Sequence, residues 1–256
     1  MSIEITTHQV ESYRRDGYLV IENLITNEEL GNLQSRIREY THGGRSTEAL
    51  KVQIEPRIER GEIEVEHPGD GIRKIDQLVQ ADDLFGKLGI HPNITATLAS
   101  LLGPDIKMFR NSLLLKAPGV GSAKGMHQDS PYWPIEPMDL CSCWFALDDA
   151  TLDNGCMRVI PGAHQRCALP HIKVTDDFVV EEGYYDRDEM VTVPMKAGSG
   201  LFFHSLLPHY TAPNTSNSWR RAIALSYMSA RAKFTGVGES PEYLHIIGTT
   251  FPGCVR

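Results

Sequence analysis

The run Lys107-Met-Phe-Arg-Asn-Ser-Leu-Leu-Leu-Lys-Ala117 marks a change in the texture of the chain. From here short β-rich stretches follow one another, separated by Gly, Pro, Asn and Asp: Phe109–Ala117, Leu140–Leu147, Met157–Ile160, Met190–Met195, Leu201–His204 and Arg221–Met228. Regularly spaced short strands with no helical pattern between them predict an antiparallel sandwich or jelly roll, not βαβ units. Upstream the pattern is helical. Thr6 with Gln9, and Thr26 with Glu29, have capping-box spacing. The first pair opens a short helix through Tyr13 that Asp16-Gly17 ends, and Tyr18 to Ile21 then reads as a strand. Behind the second, Leu30, Leu33 and Ile37 recur at helical spacing until His42-Gly43-Gly44. A third helix runs from Pro92 to Gly103 and is expected to bury Ile94, Leu98, Leu101 and Leu102. Residues 43–72 are polar and broken by Pro56, Gly61 and Pro68-Gly69, which reads as a long active-site or disordered loop. The expectation is one domain over residues 1–256, with a helical and loop frame to about residue 105 packed on one sheet of a β core spanning about 107–230.

The 256 residues suffice for one large hydrophobic core. With 41% hydrophobic and 23% charged residues the composition is that of a globular chain, not a disordered or collagen-like one. The 25 basic against 33 acidic residues leave a net charge of −8, and the longest basic runs are the pairs Arg14-Arg15 and Arg220-Arg221. A nucleic-acid partner is therefore not expected, because phosphate backbones need a basic patch. No stretch approaches the ~20 apolar residues of a membrane span. Met1-Ser2-Ile3-Glu4 lacks the basic start of a signal peptide. The five cysteines are odd in number and contain no CxxC, so they read as reduced thiols of a cytoplasmic protein.

Of the ten histidines, seven, among them His8 and His42, read as isolated, leaving His127, His204 and His209. His127-Gln128-Asp129 sets an imidazole and a carboxylate two residues apart, which on an extended segment face the same way. A histidine from a later strand would complete the two-His, one-carboxylate facial triad of non-haem Fe(II) oxygenases. A lone HxD is by itself more often a hydrogen-bonded surface pair. Its flanks are loop-forming, with Gly119–Gly125 before it and Pro131-Tyr132-Trp133-Pro134 after it, suited to a pocket mouth. His209 and Arg220 lie eleven apart, enough to end one strand, turn through Pro213-Asn214 and return on its neighbour. An arginine so placed can clamp a carboxylate in bidentate fashion. Arg220 and Arg221 fall on opposite faces of a strand, so one of them must point outward.

Several further pieces carry a family likeness. They are Gly17-Tyr18-Leu-Val-Ile-Glu22; Lys74-Ile-Asp76; His127-Gln-Asp129; Trp144-x-Ala-Leu-Asp148-Asp149; Asn154-Gly155 through Pro161-Gly162-x-His164; and Gly200-Leu-Phe-Phe-His204 through His209-x-Thr211-x-x-Asn214 to Arg220. In this order and spacing, nearly the whole chain resembles the phytanoyl-CoA dioxygenase family of Fe(II)/2-oxoglutarate-dependent oxygenases. The resemblance implies a double-stranded β-helix, a cupin-like jelly roll, with helices outside it. By position His127, Asp129 and His209 match the iron ligands. His204 competes for the third place, but it lies sixteen residues before Arg220 where the family has about eleven, and it is read as packing. Arg220 matches the arginine that binds the distal carboxylate of 2-oxoglutarate, Thr211 an assisting hydroxyl, and Trp144 and Lys74 co-substrate contacts. Asn154-Gly155 and Pro161-Gly162 read as turns, and Asp148-Asp149 as turn or surface acids.

The implied chemistry leaves three positions on Fe(II), two for 2-oxoglutarate and one for O2, with release of succinate and CO2. Asp129, where related halogenases carry Ala or Gly, favours hydroxylation or another oxidation without halide. The pocket is expected to be lined by residues 43–72, Tyr132, Trp133 and the 168–188 segment with Tyr184-Tyr185. Arg57, Arg60 and Arg73 stand among more acids than bases, which weighs against a CoA ester and toward a small metabolite or natural-product intermediate. The enzyme is expected to act as a monomer or homodimer. The competing readings are an acyl-CoA hydroxylase, a non-catalytic jelly-roll binding protein, and a hydrolase or isomerase on another metal. A hydrolase would need a general base beside a metal-bound water but no carboxylate clamp.

Overall fold

A computed structural model describes residues 3–175 and 177–256; Met1 and Ser2, on which the signal-peptide reading rests, lie outside them. The helices are α1 (Thr7–Asp16), α2 (Asn27–His42), α3 (Pro56–Glu59), α4 (Leu78–Ala81), α5 (Asp83–Gly89) and α6 (Pro92–Leu102). Both capping boxes form, and Gly17 closes α1 with φ +82, a left-handed value that favours glycine. In α6, Ile94 and Leu98 are fully buried while Leu101 and Leu102 are half-buried, so the apolar stripe is narrower than its composition.

The strands are β1 (Tyr18–Ile21), β2 (Lys51–Ile54), β3 (Ile72–Asp76), β4 (Ile106–Lys116), β5 (Lys124–His127), β6 (Ile135–Glu136), β7 (Cys141–Ala146), β8 (Met157–Val159), β9 (His171–Val174), β10 (Asp177–Val180), β11 (Val191–Val193), β12 (Gly200–His204), β13 (His209–Thr211), β14 (Arg220–Ser229), β15 (Lys233–Phe234) and β16 (Leu244–Ile247). Among the described residues the larger sheet runs β1-β12-β7-β14-β4-β3-β2, with β16 also on β4, and a second runs β11-β8-β13-β5; all pairings are antiparallel.

Alternation along the large sheet decides what each face does. On β7, Cys141, Cys143 and Phe145 join Ile223, Leu225 and Tyr227 of β14 beneath Leu33, Ile37, Phe85, Ile94 and Leu98 of the helices. The intervening Trp144, Ala146 and Ala222 meet Met157, Val159 and Val193 of the smaller sheet. The two sheets are thus packed face to face as a jelly roll, with the helices outside on one of them.

Two expectations are corrected. Residues 43–72 are neither a bare loop nor disordered: they hold β2 and α3, and β2 pairs with β3 in the large sheet. The strand escaped notice because its burial alternates only weakly, from exposed to half-buried, at a sheet edge. The short helices α4 and α5 were also missed, being four and seven residues long, too short for a periodic signal.

Phe145 is fully buried at the junction of β7, β12 and β14. Phe145→Ala should lower the unfolding free energy by about 3–5 kcal/mol in urea titration, whereas Val237→Ala, at a fully solvent-exposed position, should change it by less than about 0.5 kcal/mol. A Phe145→Ala loss no larger than that of Val237→Ala would contradict the packing.

Candidate active site

The second sheet brings two histidines face to face. His127 ends β5 and His209 opens β13, and the two are paired residues in the antiparallel register, with ring centroids 4.0 Å apart. His127 Nδ1 lies 2.8 Å from the Gly125 carbonyl and His209 Nδ1 2.9 Å from that of Leu207. A carbonyl only accepts, so each Nδ1 carries the hydrogen and each Nε2 keeps its lone pair for another partner. Asp129 Oδ1 is 3.8 Å from His127 Nε2, and the ligand atoms of His127, Asp129 and His209 all lie within 4.8 Å of one another. Burial, followed by the neighbouring His209, pushes the His127 imidazole well below its ordinary pKa, which keeps it in the neutral form a metal ligand requires. Two imidazole nitrogens and one carboxylate oxygen fit Fe(II) with positions left open.

The route to this convergence differs from the expected one. Asp129 is not extended: its φ of −79 and ψ of −51 are helical, at the start of a single turn through Tyr132. Its amide and that of Ser130 both donate to the Ser205 carbonyl, at 2.9 and 3.1 Å, which fixes the turn. Gln128 between the two ligands is fully buried; its amide group donates to the Cys167 and Leu206 carbonyls and accepts from Leu169 N. His204 sits elsewhere, with Nε2 3.2 Å from Asp139 Oδ1 and Nδ1 accepting from Leu206 N. His42, read as isolated, stacks on His67 at 4.5 Å and pairs with Asp70 at 3.1 Å.

His127, Asp129 and His209 line a cavity of about 790 Å³ that also holds Trp144, Thr211, Arg220 and Lys74. Arg220 does not return on a strand beside His209. β13 belongs to the smaller sheet and β14 to the larger, so the turn through Pro213-Asn214 crosses between the sheets and sets the two residues on facing walls. Arg220 is 3% exposed, its guanidinium 5.4 Å from the Trp144 ring; Nη1 reaches the Leu114 carbonyl at 3.4 Å and the buried Nε has no partner. Burial pushes its pKa down to about 10, opposed by the charge of Asp148. A buried guanidinium with an orphaned N–H calls for an anion, because unmet polar groups are costly to bury. Arg221 points to the other face, yet it is not a free surface arginine: Nε and Nη2 hold Asp148 at 2.8 and 2.7 Å. Asp148 is thereby a buttress of β14 and not a plain turn acid.

Thr211 accepts a hydrogen bond from Lys116 Nζ at 2.9 Å. Lys74 lies on the cavity wall but is tied to Asp76 at 2.9 Å; burial, then the charge of Arg110, lowers its pKa. The cavity is also lined by Tyr132, 5.2 Å from Phe178, and by Lys173, Thr175 and Asp177 of the β9–β10 hairpin. Tyr184 and Tyr185, expected there, do not line the cavity. The local charge is also corrected. Arg73, Lys74, Arg110, Lys116, Lys124, Lys173 and Arg220 line the cavity against Glu55, Glu59, Asp129 and Asp177, a basic excess that counting along residues 57–73 had hidden. Lys116, unnoticed in the sequence, ends an apolar strand in phase with Leu114 and Ser112, and that phase is the signal that would have exposed it.

Residues 13–222 match the family model for phytanoyl-CoA dioxygenase (PhyH). The peroxisomal phytanoyl-CoA dioxygenase of Homo sapiens is 28% identical over 93% of this chain and 73% of its own length. Among solved structures, the non-heme monooxygenase ThoJ in its apo form has a TM-score of 0.76 at 23% identity, covering 96% of this chain and 86% of ThoJ. EctD from S. alaskensis with 2-oxoglutarate and 5-hydroxyectoine also has a TM-score of 0.76, at 21% identity over 98% of this chain and 87% of EctD. These structures share the fold. The match to the family model covers most of the chain, and the chain belongs to the phytanoyl-CoA dioxygenase family.

Proposed function

We propose that His127, Asp129 and His209 hold Fe(II), that Arg220 and Thr211 receive the distal carboxylate of 2-oxoglutarate, and that the enzyme oxidises a small-molecule substrate with release of succinate and CO2. One observation carries the reading: two imidazole nitrogens and a carboxylate oxygen within 4.8 Å of one another share a cavity with a buried arginine whose Nε has no partner. When bound, Fe(II) with 2-oxoglutarate supplies the oxidative decarboxylation and the activation of O2. The chain's own residues do the rest. The Gly125 and Leu207 carbonyls orient the imidazoles, Ser205 holds the Asp129 turn, and Trp144 walls the pocket beside Arg220. Trp144 and Lys74 are co-substrate neighbours in this reading, Lys74 acting from its pair with Asp76.

The arginine argues against a hydrolase, which has no use for a carboxylate clamp at this place. The basic excess of the cavity favours a substrate bearing an anionic group, and it reopens the acyl-CoA ester as the second reading. We place the whole chain in one oxygenase domain acting as a monomer or homodimer in the cytoplasm, free of nucleic acid and membrane. No described helix is long and apolar enough to cross a membrane, and all five cysteines are free thiols, as a reducing compartment would keep them.

Purified protein with Fe(II) and ascorbate should convert 2-oxoglutarate to succinate, and faster when the right substrate is present; absence of 2-oxoglutarate binding by calorimetry would sink the reading. Asp129→Ala should lose Fe(II) binding and turnover together. Arg220→Ala should weaken 2-oxoglutarate binding roughly a hundredfold while leaving Fe(II) affinity intact. For the ligand set, His204→Ala should bind Fe(II) as the parent does; a loss equal to that of His209→Ala would reassign the third ligand.

A further inference from the structure

Strand pairing puts a second buried cation beside Arg220. Lys116 on β4 is the register partner of Arg220 on β14, both side chains line the cavity, and they are 5% and 3% exposed. Lys116 Nζ donates to Thr211 Oγ1 at 2.9 Å, to the Thr211 carbonyl at 3.3 Å and to the Ala212 carbonyl. The Lys116 carbonyl in turn accepts from Asn214 Nδ2 at 2.9 Å, so one residue grips the 211–214 segment from both ends. Gly155, with φ +87, makes the enclosure possible: a Cβ there would stand 2.4 Å from the Ala212 carbonyl oxygen and 3.3 Å from Nζ. Among the described residues no carboxylate lies within ion-pair distance of Nζ.

Hydroxyl chemistry gives the grip a direction. In its ammonium form, which a neighbouring carboxylate favours, Lys116 only donates, so Thr211 Oγ1 then accepts from it and its own O–H must point elsewhere. No described protein acceptor takes that hydrogen. We infer, on the basis of the proposed 2-oxoglutarate site, that Lys116 is a positioning residue: it turns the Thr211 hydroxyl outward to donate to the co-substrate's distal carboxylate beside Arg220. A lysine that was only a brace would hold the 211–214 backbone and leave recognition of that carboxylate untouched.

The charge around Lys116 agrees with this role. Burial first, then the charges of Arg220 on β14 and Arg73 on β3, push its pKa down to about 6, while Glu55 before α3 and Asp177 on β10 act the other way. An arriving carboxylate favours the charged ammonium, so co-substrate binding at about pH 7 should take up protons through this group.

The test compares 2-oxoglutarate with 2-oxopentanoate, which has the same chain length but a methyl group for the distal carboxylate. Both are titrated by calorimetry into the Fe(II)-loaded enzyme without O2, in two buffers of different ionisation heat. The parent should prefer 2-oxoglutarate strongly and take up protons on binding it. Lys116→Met should lose roughly tenfold or more in affinity for 2-oxoglutarate with little change for 2-oxopentanoate, and should lose the proton uptake. Thr211→Val, which leaves Lys116 in place, should show a like loss of preference, and the double variant should be no worse than the poorer single one. Equal losses for the two ligands, additive losses in the double variant, or an unchanged preference in Thr211→Val would each overturn the inference. A parent enzyme that binds no 2-oxoglutarate would overturn the co-substrate assignment itself.

Discussion

The register of β14 between β4 and β7 is the constraint on which the rest depends. Side chains alternate with a period of two, so one choice of register sends Ile223, Leu225 and Tyr227 under the helices and Arg220, Ala224 and Ser226 into the cavity. A slip by one residue would put the apolar set into the cavity and bring Arg221 inside in place of Arg220. Two devices hold the register. The apolar set packs against three helices, and Asp148 takes both Arg221 Nε and Nη2 as well as its backbone amide. The ion pair is a single bidentate contact between largely buried side chains, whose mutual attraction is offset by their desolvation, so burial of the apolar face must supply most of the specificity.

The smaller sheet solves a different problem. It must bring two imidazoles together without letting them share a hydrogen or collapse onto each other, and it does so by giving each Nδ1 a carbonyl two residues back along its own chain. The acid comes from outside the sheet. Because Asp129 lies in a turn, its place depends on the Ser205 carbonyl, and Ser205 follows directly on β12 of the larger sheet. The proposed metal site is therefore assembled from both sheets, and its geometry is coupled to the same stack of strands that carries Arg220.

Much of this was legible in the residues, and the part that was not has a physical pattern. The capping boxes and their glycine stop are local signals, and both helices began where they indicated. The β texture after Lys107 is also local, so the expected strands end within three residues of their observed bounds, the largest gap being at the start of β4. What failed depended on contacts between segments distant in sequence. Edge strand β2 needs β3 as its partner, the placement of His209 and Arg220 on facing sheets needs the whole strand order, and the ties of His42 to His67 and Asp70 need the fold closed. Lys116 belongs to the same class. Alone it is a lysine ending an apolar run; only the pairing with Arg220 shows it facing a cavity.

Charge makes the same point about scale. The chain carries a net −8, yet its cavity is lined by more bases than acids. The two facts do not conflict, because exposed charges are screened over a Debye length of about 8 Å at physiological salt, whereas charges inside a walled cavity interact through protein of lower polarisability. The inner cations also differ from one another in what they await. Lys124 and Arg73 have acidic neighbours, Asp177 and Glu55, and Lys74 has Asp76. Arg220 and Lys116 have only neutral oxygens. A buried arginine without an acid, beside a lysine whose charged form burial disfavours, is destabilising, and a dicarboxylate arriving there would relieve both.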